Sequence, residues 1–318
     1  MVQSSTRRII AVKMRIGVVF PQTEIGPGPA GVRDYALAVE EMGYSHLLAY
    51  DHVVGADLTH RPDWRGPYSL ESLFHEPFVL FGYLAAITQH LQFVTGVIIL
   101  PQRQTVLVAK QATEVDVLSR GRFRLGIGIG WNDLEYQALG ENFHDRGARS
   151  EEQIELLRRL FTEESVTFRG RWHRLEAVGL EPLPVQRPIP IWIGGGADIT
   201  LRRIARLGDG WFPQRPPDEE ASEMVRCLRE YTREAGRDPE SVGIEARLSI
   251  ERVSRDGWMS YVEGWGRLGA GYLAVNTMGL GLTGAKEHLE ALREVRDVIR
   301  PRPGIGASGG RFTSTENR

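Results

Sequence analysis

The 318-residue chain holds a single cysteine, Cys227, which excludes an internal disulfide framework, and only three lysines, Lys13, Lys110 and Lys286, beside its many arginines. Neither charge sign is in excess, with Lys plus Arg at 39 and Asp plus Glu at 41, so the net charge of −2 gives no global field for holding nucleic acid or an anionic membrane. Long apolar runs are missing too. Val94–Leu100 is about strand length, far short of the roughly 20 residues of a spanning helix. The eight histidines include no His-x-His and no His-Glu-x-x-His, and no strand-to-helix turn carries a Gly-x-Ser-x-Gly elbow. These absences argue against a disulfide scaffold, a zinc hydrolase and an elbow serine hydrolase. A hydrophobic content of 42% with 25% charged residues is that of one large globular domain.

Strand-like segments alternate with helical patterns almost from end to end, the signature of βα units around a parallel sheet. Strands are expected at 15–20, 45–50, 92–100, 123–129, 190–193, 210–213, 243–253 and 271–276, each followed by a helix. Eight such units predict an α/β fold of the (β/α)8 TIM-barrel class, with a longer insertion after strand 2 (53–76) and another after strand 4 (166–185). The first is placed to act as a lid or substrate wall, and the second reads as a small hairpin. Residues 1–13 are expected to form a flexible leader without a signal-peptide core, 14–300 the barrel, and 301–318 a disordered tail; the compartment expected is the cytoplasm.

Gly26-Pro27-Gly28-Pro29-Ala30-Gly31 fits a dinucleotide fingerprint by spacing, with Asp51 twenty residues beyond. Pro27 and Pro29 remove N–H groups that a pyrophosphate needs, so a plain turn is the better reading. Asp51-His52 ends the second strand, where a carboxylate can orient an imidazole for proton exchange, although a capped turn explains it equally. Gly126, Gly128 and Gly130 share one face of the fourth strand, leaving room for a flat ring or for close packing, and Trp131 follows as a ring wall or a core residue. Gly194-Gly195-Gly196 joins a strand to a helix, a place for phosphate or simply a turn capped by Asp198. A second glycine-rich turn, 276–284, competes for that role. Redox chemistry on a bound planar cofactor, or a non-catalytic ligand barrel, remains.

In this order, Asp51-His52, Val94-Thr95-Gly96-Val97, Leu100-Pro101-Gln102-Arg103, 109–122, Gly126–Trp131, Ile191–Gly196 and Gly208–Pro213 resemble the luciferase-like monooxygenase and deazaflavin-dependent oxidoreductase superfamily. The resemblance implies a barrel binding coenzyme F420, or alternatively FMN, at its C-terminal mouth. It implies a bulge with a non-prolyl cis peptide at Gly96-Val97 backing the ring. Thr95, Gly96, Val97, Gly128, Ile129, Gly130, Trp131, Gly194, Gly195, Gly196 and Trp211 then contact the cofactor, and Asp51 and His52 supply the chemistry, with no metal. Bacterial luciferase has arginine and cysteine where this chain has Ile129 and Gly128, and the overall pattern favours F420. The expected activity is hydride transfer between deazaflavin and a small organic substrate. An FMN-dependent monooxygenase served by a separate reductase is the alternative, and a homodimer is expected.

Overall fold

The computed structural model describes residues 14–299, so the expectations for 1–13 and 301–318 lie outside the described residues. Strands β1 (Arg15–Val19), β2 (His46–Ala49), β3 (Gln92–Thr95) with β4 (Ile98–Ile99), β5 (Phe123–Gly128), then β8 (Ile191–Gly194), β9 (Gly210–Phe212), β10 (Gly243–Ser249) and β11 (Tyr272–Asn276) build the barrel. All pair in parallel, and contacts of both β3 and β4 with β5 close the sheet into an eight-stranded barrel. The fold class read from the sequence is therefore the one found.

Period-two alternation along each strand sorts two cores. Side chains such as Val18, Leu47, Phe93, Leu125 and Leu273 face outward into the main core shared with the helices. Val19, Leu48, Val94, Trp192, Phe212 and Ala274 point inward and fill the barrel. Below them lies a buried polar layer: His46 Nε2 is 2.9 Å from Glu245 Oε1, and Arg124 Nη1 is 2.7 Å from Glu245 Oε2. The Arg124 guanidinium lies 4.7 Å from the Trp192 ring centroid and 4.3 Å from that of Tyr272, so aromatic faces replace the water it lost. Burial works to raise the Glu245 pKa, but Arg124 and His46 outweigh it and bring it down to about 2.

Helices α1 (Pro29–Glu41), α2 (Pro77–Ile87), α3 (Thr105–Leu118), α4 (Asp133–Ala138), α5 (Arg146–Thr162), α6 (Asp198–Leu207), α7 (Glu219–Glu234), α8 (Trp258–Arg267) and α9 (Gly284–Ile299) surround the barrel. Local chemistry sets several starts. Pro29 and Pro77 occupy first-turn positions where a missing N–H costs nothing, Glu76 accepts from Val79 N at 2.8 Å, and Asp218 accepts from Ala221 N at 2.8 Å. The Gly-Pro-rich segment turns at Gly26, φ +82°, and its last three residues, Pro29-Ala30-Gly31, open α1. Among the described residues no helix is long and apolar enough to cross a membrane.

Both insertions are present. The second forms an antiparallel hairpin, β6 (Val166–Arg169) and β7 (Arg174–Val178). Glu152 of α5 holds its tip by accepting from the N–H groups of Arg171, Trp172 and His173. The first insertion, 53–76, is a loop beside the C-terminal mouth, with one isolated strand-type bridge of its own between Ala56 and Ser69.

Candidate functional site

The third barrel strand is interrupted between β3 and β4 by a cis peptide, Gly96-Val97, where the sequence resemblance places it. Its residues press in turn onto the bare face of β5. A Cβ on Gly126 would lie 1.8 Å from the Thr95 carbonyl oxygen, one on Gly128 2.7 Å from Val97 Cγ2, and one on Gly130 2.8 Å from Ile99 Cγ2. The alternating glycines thus leave no room for a ring. They receive the neighbouring strand on this face: close packing of Thr95, Val97 and Ile99 fills the space into which side chains at Gly126, Gly128 and Gly130 would point. Thr95 adds two hydrogen bonds, donating to Gly126 O at 2.7 Å and accepting from Gly126 N at 2.8 Å, so it is buried support.

The result is a floor at the barrel mouth whose apolar part is made by Leu48, Gly96, Val97, Gly194, Phe212 and Ala274, with Tyr50, Gln214, Glu245 and Arg247 bordering the same space. The enclosed space there is only about 30 Å³, roughly one water molecule, so a ring-sized ligand can only rest on this floor and extend outward. Two larger cavities adjoin the mouth loops: one of about 370 Å³ beneath the 53–76 loop, and one of about 240 Å³ beside Arg247.

His52 does not pair with Asp51, contrary to the sequence expectation. Asp51 turns away, accepting from Arg103 Nη2 at 2.7 Å and from Ile99 N at 3.2 Å, which ties the end of β2 to the strand beyond the cis peptide. Burial raises the Asp51 pKa against the opposing pull of Arg103, whose other side pairs with Glu76 at 3.1 Å. Successive strand residues point to opposite faces, and the buried guanidinium claims the carboxylate first.

The imidazole instead finds Glu135, on α4, with Nδ1 3.2 Å from Oε1. The same buried oxygen accepts from Val53 N at 2.8 Å and Val54 N at 3.4 Å, so one carboxylate holds both His52 and the start of the 53–76 loop. Burial works to raise the Glu135 pKa, but the contact with His52 and the two N–H bonds bring it below its ordinary value. A carboxylate beside Nδ1 orients the ring and leaves Nε2 outside this contact. Around the ring stand Tyr68 at 4.6 Å, Phe74 at 4.8 Å and Trp131 at 6.1 Å between centroids. Trp131, 47% exposed, also meets Trp64 of the loop, and is thus a wall for His52.

Ile129, half-buried, accepts from Tyr136 at its carbonyl and brings no polar side chain. Trp211 is fully buried on the outer face of β9 beside Trp265, and its indole N–H donates to Gly195 O at 2.7 Å. It positions the glycine turn from behind, which corrects its assignment as a cofactor contact. Gly194 lines the mouth, and Gly195, at φ +124°, carries the chain through Gly196 into α6. That helix has no side-chain cap. Asp198, the cap expected of a plain turn, binds Tyr231 and Arg202 instead. Sequence reasoning missed Glu135. Only the Glu135 spacing from Trp131, one helical turn on, offered a signal.

The family model described as luciferase-like monooxygenase matches residues 14–256. An uncharacterized protein of Mycobacterium tuberculosis is 34% identical over 228 residues, 70% of this chain and 76% of that protein. An F420-dependent glucose-6-phosphate dehydrogenase of Intrasporangium calvum is 28% identical over 238 residues, covering 71% and 67%. An FMNH(2)-dependent dimethylsulfone monooxygenase of Pseudomonas fluorescens is 36% identical over 141 residues, covering 43% and 38%. Among solved structures, an F420-dependent secondary alcohol dehydrogenase in complex with an F420-acetone adduct superposes with a TM-score of 0.74 over 91% of this chain and 99% of that one, at 14% identity, a likeness of fold.

Proposed function

This chain belongs to the luciferase-like monooxygenase family, and from that premise we propose that it is an F420-dependent oxidoreductase exchanging a hydride with a small organic substrate. The observation that carries the reading is the His52–Glu135 pair standing beside an apolar floor at the barrel mouth. The residues fit a flat heterocycle with a phosphate tail: Val97 and Phe212 offer an apolar surface, Gly194 brings no side chain, and α6 begins uncapped next to it. F420 bound there supplies or accepts a hydride.

The chain's own residues do the rest. His52 Nε2 gives a proton to, or takes one from, the substrate oxygen, while Glu135 orients the ring through its contact at Nδ1. The Asp51–Arg103 pair fixes the strand end that presents His52, and the 53–76 loop limits water around the ring. Exposed Val79 and Tyr83 on α2 with Val106 and Leu107 on α3 support a homodimer through that face.

A second reading, FMN-dependent oxygenation with flavin reduced by a separate protein, is supported by the identity with the dimethylsulfone monooxygenase. Parallel equilibrium titration with oxidised F420 and FMN separates them. F420 binding at least tenfold tighter, about 1.4 kcal/mol, supports hydride transfer; the reverse preference moves the reading to oxygen consumption with reduced FMN. His52→Ala lowering turnover by less than about tenfold, below the usual 10² to 10⁴ of general acid–base catalysis, removes His52 from its role.

A further inference from the structure

Arg247 points from β10 into the barrel mouth, where its Nη1 donates to the Tyr50 hydroxyl at 2.9 Å. Among the described residues it has no carboxylate partner. Its situation differs from that of its neighbours. Arg103 is held by Asp51 and Glu76, Arg124 by Glu245, and Arg215 by Asp218 and Glu220. Arg247 forms part of the wall of two spaces at once, the floor beneath the mouth and the adjoining cavity of about 240 Å³. That second cavity is lined by Gln214, Arg215, Ser249, Arg252 and Tyr261 with Arg247, and by no acidic side chain, while the acid that lines the first space, Glu245, is already held by Arg124 and His46. A half-buried guanidinium facing a neutral hydroxyl is costly unless an anion joins it, and its fork matches a planar oxyanion.

We propose that Arg247, with Tyr50 beside it, is the recognition site for a carboxylate on the substrate. One uncompensated positive charge matches a monoanion, since Arg215 is neutralised by two acids and the exposed Arg252 pairs with Glu251. Tyr68 packs at a tilt against His52 and feels the charge of Arg247, so the carboxylate end and the proton-exchanging end belong to one mouth. The rings of Tyr68, Phe74 and Trp131 suit an apolar body between them. The substrate class is thus a carboxylic acid with an apolar body and an oxidisable or reducible carbon. Its use in catalysis rests on the oxidoreductase reading; the binding itself does not.

The test compares benzoate with its neutral isostere benzamide, each titrated calorimetrically into the cofactor-free protein and into Arg247→Met, Arg247→Lys and, as a surface control, Arg252→Met. Wild type and Arg252→Met are expected to prefer benzoate at least tenfold, Arg247→Met to lose the preference while keeping benzamide, and Arg247→Lys to retain part of it. Equal binding of the two probes by wild type, no measurable benzoate binding, or a preference surviving in folded Arg247→Met overturns the proposal. Where Arg247→Met does not fold, an undiminished preference in Arg247→Lys overturns it, because a lysine cannot reproduce the forked contact. F420 and FMN are titrated into the same variants. Tenfold weaker cofactor binding in Arg247→Met with benzoate unaffected assigns the residue to the cofactor and overturns a substrate role. Failure of wild type to bind either cofactor sinks the oxidoreductase reading alone, since the benzoate comparison is read without them.

Discussion

Replacing Glu135 by alanine removes one buried oxygen that serves three donors, and the consequence is calculable. The two shorter contacts, 2.8 Å from Val53 N and 3.2 Å from His52 Nδ1, dominate over the third at 3.4 Å. Hydrogen bonds to a charged acceptor contribute about 1.5–3 kcal/mol each, so their loss costs the closed state of the 53–76 loop about 3 kcal/mol at the low end. The loop's own ladder is a single bridge, so the loss appears as local opening before global unfolding. Three kilocalories correspond to about a hundredfold in the opening equilibrium. Hydrogen exchange at the Val53 amide and tryptic cleavage after exposed Arg65 are both expected to accelerate by about that factor. Glu135→Gln keeps an acceptor for the N–H groups but not the charge, so it is expected to hold the loop largely closed while impairing proton exchange at His52. Unchanged exchange at Val53 in Glu135→Ala, within about threefold, refutes the claim that this carboxylate couples loop and imidazole.

His288 is buried and its pKa is lowered to about 4, chiefly by burial, so the unfolded chain binds its proton first as pH falls. Stability is expected to drop between about pH 6.5 and 4, by about 3 kcal/mol at most, and denaturant melts of His288→Asn across that window should show a shallower acid limb. In Gly126→Ala the new Cβ meets the Thr95 backbone and cannot be relieved, whereas in Gly128→Ala it meets a Val97 methyl that can turn. Melting curves are expected to show Gly128→Ala losing about 1–3 kcal/mol and Gly126→Ala losing more or failing to fold. Arg103→Met strands the buried Asp51 carboxylate, and a loss of about 3–5 kcal/mol in chemical denaturation is expected, rescued in part by Asp51→Asn. Leu107→Asp is expected to shift sedimentation from dimer to monomer, and an unchanged sedimentation profile rules out the α2–α3 face.

Much of this molecule was legible along the chain. The alternation of strand and helix, the eight units and the insertion hairpin are local patterns, and local sterics and hydrogen bonding enforce them whatever the surroundings. The position of Asp51-His52 at a strand end was legible for the same reason, whereas Gly96-Val97 was marked only by the family resemblance. Their partners were not. Whether the β5 glycines hold a ring or a neighbouring strand depended on where Val97 and Ile99 lie, which closure of the barrel alone decides. Whether His52 answers to Asp51, its neighbour in sequence, or to Glu135, 83 residues away, depended on Arg103 reaching Asp51 across the mouth. Trp211 faces outward because β9 begins with Gly210 inward against the Trp192 ring, a matter of register and not of residue type. Secondary structure follows from nearest neighbours, but the pairing of charges follows from which buried groups lose their water together, and only the assembled barrel sets that.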